Sequence, residues 1–410
     1  MMEENKSNTY TAPPSGGDKG EGLDIHSFDE IRPYEPEEMP VVFEELLNDR
    51  QFNLVMKGFT PWLPKSVRNG LLRLLFKGVK SSQDFQVRFM KPVVRLSIWR
   101  CTNGTTFGCP EDFNKHGRYI FLSNHRDIVL DPCLICYSLF DRGFSEVELC
   151  VGSNLLQNRL VEDLLRSNRM IKVIRGISAR ELYLSSKTLS KYIRLTITSG
   201  TSSVWIAQRE GRTKDGWDTT EQGLLKMFDM SGEKSFEENF RELNIIPMSI
   251  SYEYEPCDAR KARELYIKQT EGKYVKKPRE DMHSILTGIG QRKGHIHLNI
   301  GKALTDEEIA RAAACSGNER YQTIRHILDE RIIDGYKLWK TNYMAFDLLS
   351  GTRDFEGEKY LPEDLDKFHK YIEHKLNKIE SRYDRKAVRE IFLRIYSNPV
   401  LAVLQKENTQ

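Results

Sequence analysis

The chain has 410 residues, a formal net charge of +3, and hydrophobic and charged fractions of 39% and 30%. This length accommodates one large domain with additions or two domains, and the small net charge gives no reason to expect nucleic acid as a partner. No apolar run reaches the length of a membrane-spanning helix, and the N-terminus lacks the apolar core of a signal peptide. We therefore expect a cytoplasmic protein.

The N-terminal quarter divides into a tail and a basic helical segment. Residues 1–35 have the composition of a flexible tail, and residues 36–100 have a helical pattern. In residues 59–100 many basic residues and several aromatic ones accompany a single acidic residue, Asp84. The apolar stripe of one predicted helix consists of Val67, Leu71, Leu74 and Leu75, with Arg68, Arg73 and Lys77 off it. Such a helix suits an anionic membrane surface, but it equally suits an ordinary helix packed on the domain.

A strand-to-helix junction at residues 119–132 contains the first candidate catalytic residues. The apolar residues 119–122 predict a buried strand, and Asp131 before Pro132 is a helix-start signal. His125, Asp127 and Asp131 therefore fall where ligand sites occur in open α/β sheets.

The histidine of this junction has two interpretations. A neutral imidazole can take a proton from a hydroxyl group when a carboxylate fixes its tautomer. The same residues also fit a polar turn whose aspartate only caps a helix and whose histidine is solvated. Residues 125–127 match the triplet of the protein kinase catalytic loop, but Pro132 replaces the required asparagine and no Asp-Phe-Gly follows. A kinase is therefore excluded.

Further strands are predicted at residues 147–151, 171–174, 204–206, 245–252 and 296–300, and they alternate with helices. This alternation predicts an α/β sheet whose polar strand ends converge. Arg175 follows the strand at 171–174, and Arg212 follows the strand at 204–206. Two arginines from separate loops suit a phosphate monoester, because the guanidinium fork matches phosphate oxygens. Each arginine alone also fits a surface charge or a structural ion pair.

Cysteine and histidine do not form a predicted metal site. Cys133 and Cys136 make a single CxxC in an apolar helical pattern, and a zinc site would need a second pair. His295 and His297 alternate in a strand without a third ligand nearby in the sequence. We expect core thiols and no metal.

Four motifs in order resemble the glycerolipid acyltransferase family, which includes glycerol-3-phosphate and lysophosphatidate acyltransferases. They are Asn-His-Arg with a following Asp at 124–131, Val-Ile-Arg-Gly at 173–176, Glu-Gly-Arg-Thr at 210–213 and Ile-Pro-Met-Ser at 246–249. The resemblance covers about residues 100–305. It implies an α/β fold with a mixed sheet flanked by helices, to which helical N- and C-terminal regions are added.

The resemblance also implies an activity. A fatty acyl group would pass from a thioester, on coenzyme A or acyl carrier protein, to a hydroxyl group of glycerol-3-phosphate or lysophosphatidate in phospholipid synthesis. No cofactor is needed, because the donor is a substrate. His125 would be the general base, with an aspartate as its partner. The acceptor phosphate would be bound by Arg175, Arg212 and Arg126. The third motif contributes Glu210, Gly211 and Thr213, and the fourth contributes Pro247 near the acyl-donor site.

Two motifs depart from the family pattern. The family places four residues between the histidine and the aspartate, whereas five residues separate His125 from Asp131 and one separates it from Asp127. We take Asp131 as the partner because Leu-Asp before a helix start matches the end of the motif, and we keep Asp127 as the alternative. In the third motif Arg212 precedes Thr213, whereas the family usually ends this motif with arginine.

The C-terminal region is predicted to be helical, with helices at residues 305–314, 318–349, 362–379 and 385–406. The chain would then comprise a tail (1–35), a basic helical segment (36–100), an acyltransferase domain (101–304) and a helical region (305–410). Residues 59–100 would hold the protein peripherally at the inner face of the membrane. Two other functions stay open: acylation of another lipid, such as an acylated amino acid, and a non-catalytic lipid-binding or scaffolding role on the same fold.

Overall fold

The computed structural model describes residues 25–59, 62–156, 159–277 and 280–408. Its centre is one sheet of seven strands. The strands are β1 (Thr102–Gly108), β2 (Ile120–Ser123), β3 (Val147–Gly152), β4 (Met170–Val173), β5 (Ser203–Ala207), β6 (Ile245–Tyr252) and β7 (Gly294–Ile300).

The strand order across the sheet is β1-β7-β6-β2-β5-β3-β4. Neighbouring strands from β6 to β4 are parallel, β7 is antiparallel to β6, and β1 is parallel to β7. The predicted fold class, an α/β fold with a mixed sheet flanked by helices, is confirmed. Because β2, β5, β3 and β4 run in one direction, the loops after them meet at one edge of the sheet.

Helices cover both faces of the sheet and form the two terminal regions. Before and within the sheet they are α1 (Met39–Asn48), α2 (Arg50–Phe59), α3 (Lys65–Lys77), α4 (Ser82–Phe85), α5 (Lys91–Cys101), α6 (Leu130–Asp141), α7 (Arg159–Ser167), α8 (Ala179–Thr198), α9 (Gln222–Asp229), α10 (Phe236–Arg241), α11 (Asp258–Glu271) and α12 (Glu280–Gly290). After the sheet they are α13 (Asp306–Ala313), α14 (Glu319–Asp334), α15 (Lys340–Ser350), α16 (Pro362–Leu376) and α17 (Arg385–Glu407). None of the helices in the described residues is both long and apolar enough to cross a bilayer.

The apolar runs of the sequence become strands that are buried on both faces. Ile120 and Leu122 of β2 contribute to the core on one face of the sheet, and Phe121 contributes to the core on the other. Parallel strands covered by helices on both sides read as continuous apolar runs, which is why β2 to β6 were predicted, whereas β7 is antiparallel to β6 and alternates buried and less buried residues. The edge strand β1 was missed because its sequence is polar and its residues are half-buried or exposed.

The region around Gly335 corrects the predicted helix at residues 318–349. The structure has two helices there, α14 and α15, with a break between Asp334 and Lys340. A Cβ atom at Gly335 would come within 2.3 Å of the Ser249 hydroxyl oxygen on β6. The break therefore lets the chain pass close to the sheet.

The predicted tail also needs a correction. Residues 1–24 lie outside the described residues, but residues 25–35 pack against the domain. Phe28 and Ile31 are buried in the core, and the Lys172 amide of β4 donates to the Ile31 carbonyl at 2.9 Å. The other predicted boundaries stay predictions. Ala262 of α11 packs in the same apolar cluster as Phe392 and Tyr396 of α17, which joins the region before residue 304 to the C-terminal helices.

Candidate active site

The turn between β2 and α6, residues 124–129, is called the histidine turn here. Its central contact joins His125 Nδ1 to Asp131 Oδ2 at 2.9 Å. The same carboxylate oxygen accepts the backbone N–H groups of Arg126 at 2.5 Å and Asp127 at 2.8 Å. The other oxygen, Oδ1, accepts the Tyr252 hydroxyl at 2.5 Å. Asp131 is completely buried, so these four donors replace its hydration.

Asp131 is held as a carboxylate. Burial by itself would raise its pKa, but the hydrogen bonds from His125, Tyr252 and the Asp127 amide outweigh burial and lower the pKa below its usual range. An ionised Asp131 fixes the proton of His125 on Nδ1. Nε2 is then the ring nitrogen that can accept a proton.

Asp127, the alternative partner of His125, binds backbone amides instead of the imidazole. Its Oδ1 accepts the backbone N–H groups of Val129 at 3.0 Å and Leu130 at 2.9 Å. Asp127 therefore caps α6, whereas Asp131 lies inside the first turn of that helix. The prediction that Asp131 is the helix cap is wrong. Asp131 keeps its carboxylate for the histidine because Asp127 supplies the cap.

His125 lines a cavity of about 390 Å³ at the edge where the parallel strands end. Its side chain is 14% exposed, and its ring lies 5.8 Å from the Trp205 ring, edge to face. Trp205 is fixed by a hydrogen bond from its Nε1 to the Ser123 hydroxyl at 2.9 Å. Apolar lining comes from Ile128, Pro132, Val151, Leu155, Trp205 and Ala207.

The cavity also collects charged residues from three loops. Arg175, which follows β4, and the segment 209–212, which follows β5, both line it. The structure thus brings together His125, Arg175 and Arg212, which lie far apart in the sequence. Arg175 Nη1 lies 3.5 Å from the exposed carboxylate of Glu210.

Two arginines that line the cavity each have a guanidinium nitrogen that is not used in a hydrogen bond with a described residue. Arg209 Nε and Arg212 Nη1 are buried and have no hydrogen-bond partner among the residues that the structure describes. We call these two atoms the open donors. The Nε atoms of Arg68, Arg126, Arg169 and Arg320 are unpaired in the same way, so the open donors are candidates for a ligand because Arg209 and Arg212 also line the cavity.

The third-motif loop is bound directly to the histidine turn. The Thr213 amide donates to the His125 carbonyl at 2.8 Å, and the Thr213 hydroxyl donates to Asp218 Oδ1 at 2.6 Å. Gly211 has a φ of 70°, a left-handed conformation that glycine adopts without strain. Gly211 and Thr213 thus shape the loop that carries Arg212, and Thr213 itself is buried behind the cavity.

Arg126 does not lie with the other predicted phosphate ligands. Its side chain is buried and pairs with Asp218 at 2.7 Å and with Glu255 at 3.5 Å. Burial opposes its charge, but these two carboxylates raise its pKa above the ordinary value. The side chain points away from the His125 cavity and has its charge compensated inside the protein. The structure therefore removes Arg126 from the candidate phosphate ligands.

The partners of Arg126 were not found from the sequence. Tyr336 donates to Asp218 Oδ2 at 2.6 Å. Lys261 donates to Glu255 Oε1 at 2.6 Å and to the Arg126 carbonyl at 2.8 Å. We call this group the buried charge network, and it consists of Arg126, Asp218, Glu255, Lys261 and Tyr336. Because the partners of Arg126 lie 92 or more residues from it in the sequence and outside the four motifs, no local pattern could have indicated the network.

Pro247 of the fourth motif lies in the middle of the sheet. It is opposite Leu122 of β2, and its carbonyl accepts the Gly301 amide at 2.8 Å. It is buried and does not line the His125 cavity. Its predicted place near the acyl donor stays a prediction.

The CxxC cysteines are free thiols, Cys133 buried and Cys136 half-buried. Burial raises the pKa of Cys133 to about 12 and that of Cys136 to about 11, which disfavours the thiolate that metal binding requires. In the described residues no group of three or more potential ligand side chains could hold a metal ion.

Comparison with known proteins finds similarity among solved structures. No protein-family model matches the sequence, and no curated protein matches it significantly. Among solved structures, the 1-acyl-sn-glycerophosphate (LPA) acyltransferase PlsC from Thermotoga maritima is similar over 64% of this chain and 88% of its own, with 14% identity and a TM-score of 0.37. A TM-score this low does not support a functional assignment, so the function is inferred from the geometry of the site.

Proposed function

We propose that this protein is an acyltransferase. It would move a fatty acyl group from a thioester to a hydroxyl group of a phosphate-bearing acceptor such as glycerol-3-phosphate or lysophosphatidate. The observation that carries the proposal is the hydrogen-bonded pair of His125 and buried Asp131 at a cavity that also contains Arg175 and the open donors. One group of residues can thus activate a hydroxyl, and another can bind an anion attached to it.

The proposed reaction uses His125 as a general base. Nε2 accepts the proton of the acceptor hydroxyl while the hydroxyl oxygen attacks the thioester carbonyl carbon. The tetrahedral intermediate then collapses, the carbon–sulfur bond breaks, and the proton on Nε2 passes to the leaving sulfur. Asp131 stays ionised throughout and stabilises the imidazolium that forms in between.

The acceptor phosphate would lie against Arg175 and Arg212. Among the described residues, the exposed Glu210 is the one carboxylate that pairs with Arg175 within 4 Å, and exposed ion pairs contribute little. A phosphate can therefore replace Glu210 at little cost. Arg212 offers an open donor from the neighbouring loop, so the two guanidinium groups would bind the phosphate together. The acyl chain would contact the apolar side of the cavity near Ile128 and Trp205.

An acyl-transfer assay tests the proposal. Purified protein is incubated with acyl-coenzyme A or acyl-carrier protein and with glycerol-3-phosphate, lysophosphatidate or an acylated amino acid, and the acylated product is measured by mass spectrometry. We expect product with a phosphate-bearing acceptor and none with the His125→Ala variant, which controls for contaminating enzymes. Product with the acylated amino acid alone would reject the phosphate acceptor. No product with any pair would favour the non-catalytic alternative.

We further propose that α3 and α5 contact an anionic membrane. The core-facing side of α3 carries Leu72 and Phe76, and Arg68 is buried with them. The predicted apolar stripe largely faces outward, since Leu71 is 53% and Leu74 71% exposed. Trp99 of α5 is 78% exposed. Exposed apolar side chains next to Arg73, Lys77 and Arg95 suit an interface of acyl chains and anionic headgroups.

A vesicle-binding experiment tests this membrane contact. The change Leu74→Ser with Arg73→Glu and Lys77→Glu should release the protein from phosphatidylglycerol-containing vesicles in a sedimentation assay. High salt should weaken the binding of the unchanged protein, because surface charges are screened. Lys187→Glu, an exposed charge reversal on α8, is the matched control and should bind as before. Binding that resists both the triple change and salt would contradict the proposal.

A further inference from the structure

A second and larger cavity lies beside the His125 cavity. Its volume is about 980 Å³, and it is lined by residues of α11, α12, α16 and the segment after α16. Tyr274 lines both cavities. The two cavities are therefore neighbours, and one extended ligand could occupy both.

The second cavity has more positive than negative side chains. Lys375 pairs with Asp258 at 2.9 Å, and Arg263 pairs with Glu380 at 2.7 Å. Glu280 is engaged by the Tyr274 hydroxyl at 2.6 Å. The remaining lysines and arginines form no ion pair within the described residues, and we call them the cavity cations. They are Arg260, Lys277, Arg292 and Lys378.

The shape and charge of the second cavity indicate which class of ligand it can bind. A concave site of this size suits a small molecule better than a folded protein surface. Four cavity cations, with His283 and His374 also in the lining, suit a ligand with several phosphate groups. A thioester donor with that property is coenzyme A, whose nucleotide carries three phosphates.

We propose that the second cavity binds the phosphorylated nucleotide end of an acyl-coenzyme A donor, whose thioester reaches His125 in the first cavity. The inference rests on the acyltransferase function proposed above. Helix α11 forms a wall of both cavities, with Arg260 and Arg263 in the second and Glu264 and Lys268 in the first. At 1.5 Å per residue, Arg260 and Lys268 are about 12 Å apart along the helix. An extended chain with phosphates at one end fits this arrangement.

The contact around Tyr274 marks the passage between the cavities. Its hydroxyl group donates to Glu280 and accepts from Arg263 Nη1 at 3.2 Å. The aromatic ring is held in place by these two hydrogen bonds. The linking arm of the donor would pass this ring on its way from the cavity cations to His125.

A direct binding measurement tests the nucleotide site without turnover. The probe is adenosine 3′,5′-bisphosphate, titrated into the full-length protein by calorimetry. The double variant Arg260→Gln with Lys378→Gln should weaken its affinity by about tenfold or more, because each lost charge-assisted hydrogen bond typically has about that effect. The same variant should raise KM for acyl-coenzyme A and leave kcat and KM for the acceptor unchanged. Lys370→Gln, an exposed lysine of α16 outside the cavity, is the matched control.

The possible results distinguish the proposed nucleotide site from the proposed acyltransferase function. Unchanged nucleotide affinity in the double variant, or no binding to the unchanged protein, would overturn the nucleotide site. Weakened nucleotide binding with an unchanged KM for acyl-coenzyme A would overturn the donor assignment. A protein that binds the probe through these cations but transfers no acyl group from any donor would refute the acyltransferase and leave the nucleotide site standing. His125→Ala should bind the probe normally, which shows that the protein is folded.

Discussion

Arginine side chains lie on two sides of the histidine turn, and they differ in how their charges are paired. On the inner side, Arg126 is buried and neutralised by Asp218 and Glu255. On the cavity side, Arg212 and its neighbour Arg209 present the open donors. Arg126 Nε also lacks a hydrogen-bond partner among the described residues, so the difference is in charge: two buried carboxylates compensate the charge of Arg126, and Arg126 does not line the His125 cavity. An arginine in a motif is therefore a candidate ligand only when its donors face a cavity.

The largest effect is expected on the cavity side, for His125→Ala. Loss of a general base typically lowers the rate by about 10²- to 10⁴-fold. The fold should remain, because the imidazole makes one side-chain hydrogen bond and is partly exposed. Measured kcat and thermal unfolding of the purified variant check both statements. Near-normal turnover in a folded variant would eliminate the proposed base.

Asp127 of the histidine turn and Asp131 of α6 give the next comparison. Asp131→Asn should lose nearly as much rate as His125→Ala, because the amide no longer stabilises the imidazolium. The double variant with His125→Ala should be scarcely slower, since members of one catalytic unit are not additive. Asp127→Asn should instead keep most of kcat and change stability little, because an asparagine oxygen can accept the Val129 and Leu130 amides about as well as aspartate does. The reverse pattern in kcat would show that Asp127 is the partner.

On the inner side, Arg126→Met should reduce the free energy of unfolding. The change leaves the carboxylate of Asp218 buried without its cation, whereas Glu255 keeps Lys261, and removal of one member of a buried pair typically costs about 3–5 kcal/mol. Chemical denaturation measures this loss. Arg95→Met, an exposed arginine on α5, serves as the control and should change stability little. A stable Arg126→Met protein with a selectively raised acceptor KM would return Arg126 to the phosphate ligands.

The smallest effect is expected from single arginines on the cavity side. Arg175→Ala or Arg212→Ala should raise the acceptor KM by about tenfold, because one charged hydrogen-bond donor to the phosphate is lost. Lysine at either position should restore affinity only in part, since a point charge does not reproduce the guanidinium fork. Steady-state kinetics with varied acceptor and saturating donor measures this. A change confined to the donor KM would assign these arginines to the donor.

The features that could be predicted from the sequence are those that depend on a local residue pattern. Apolar runs indicated β2 to β6, and the polar residues after β2, β4 and β5 indicated the cavity edge, because parallel strands end together. Asp131 was chosen as the partner of His125 because Leu-Asp at a helix start matches the family motif, and α6 does begin at Leu130; only the capping role expected of Asp131 was wrong. The state of Arg126 could not be predicted, because Asp218 lies 92 residues away and burial is a property of the complete fold.

The hydrogen bond from Tyr336 to Asp218 has a consequence for how the protein is made. A ribosome completes the histidine turn and the third-motif loop well before it adds residue 336, and chains begin to fold from the N-terminus during synthesis. Until Tyr336 arrives, Asp218 lacks one of its buried donors and the space beside Arg126 stays open to water. The site therefore matures late, and a nascent chain that stops before Tyr336 has all of its motifs but not the finished environment of its histidine turn.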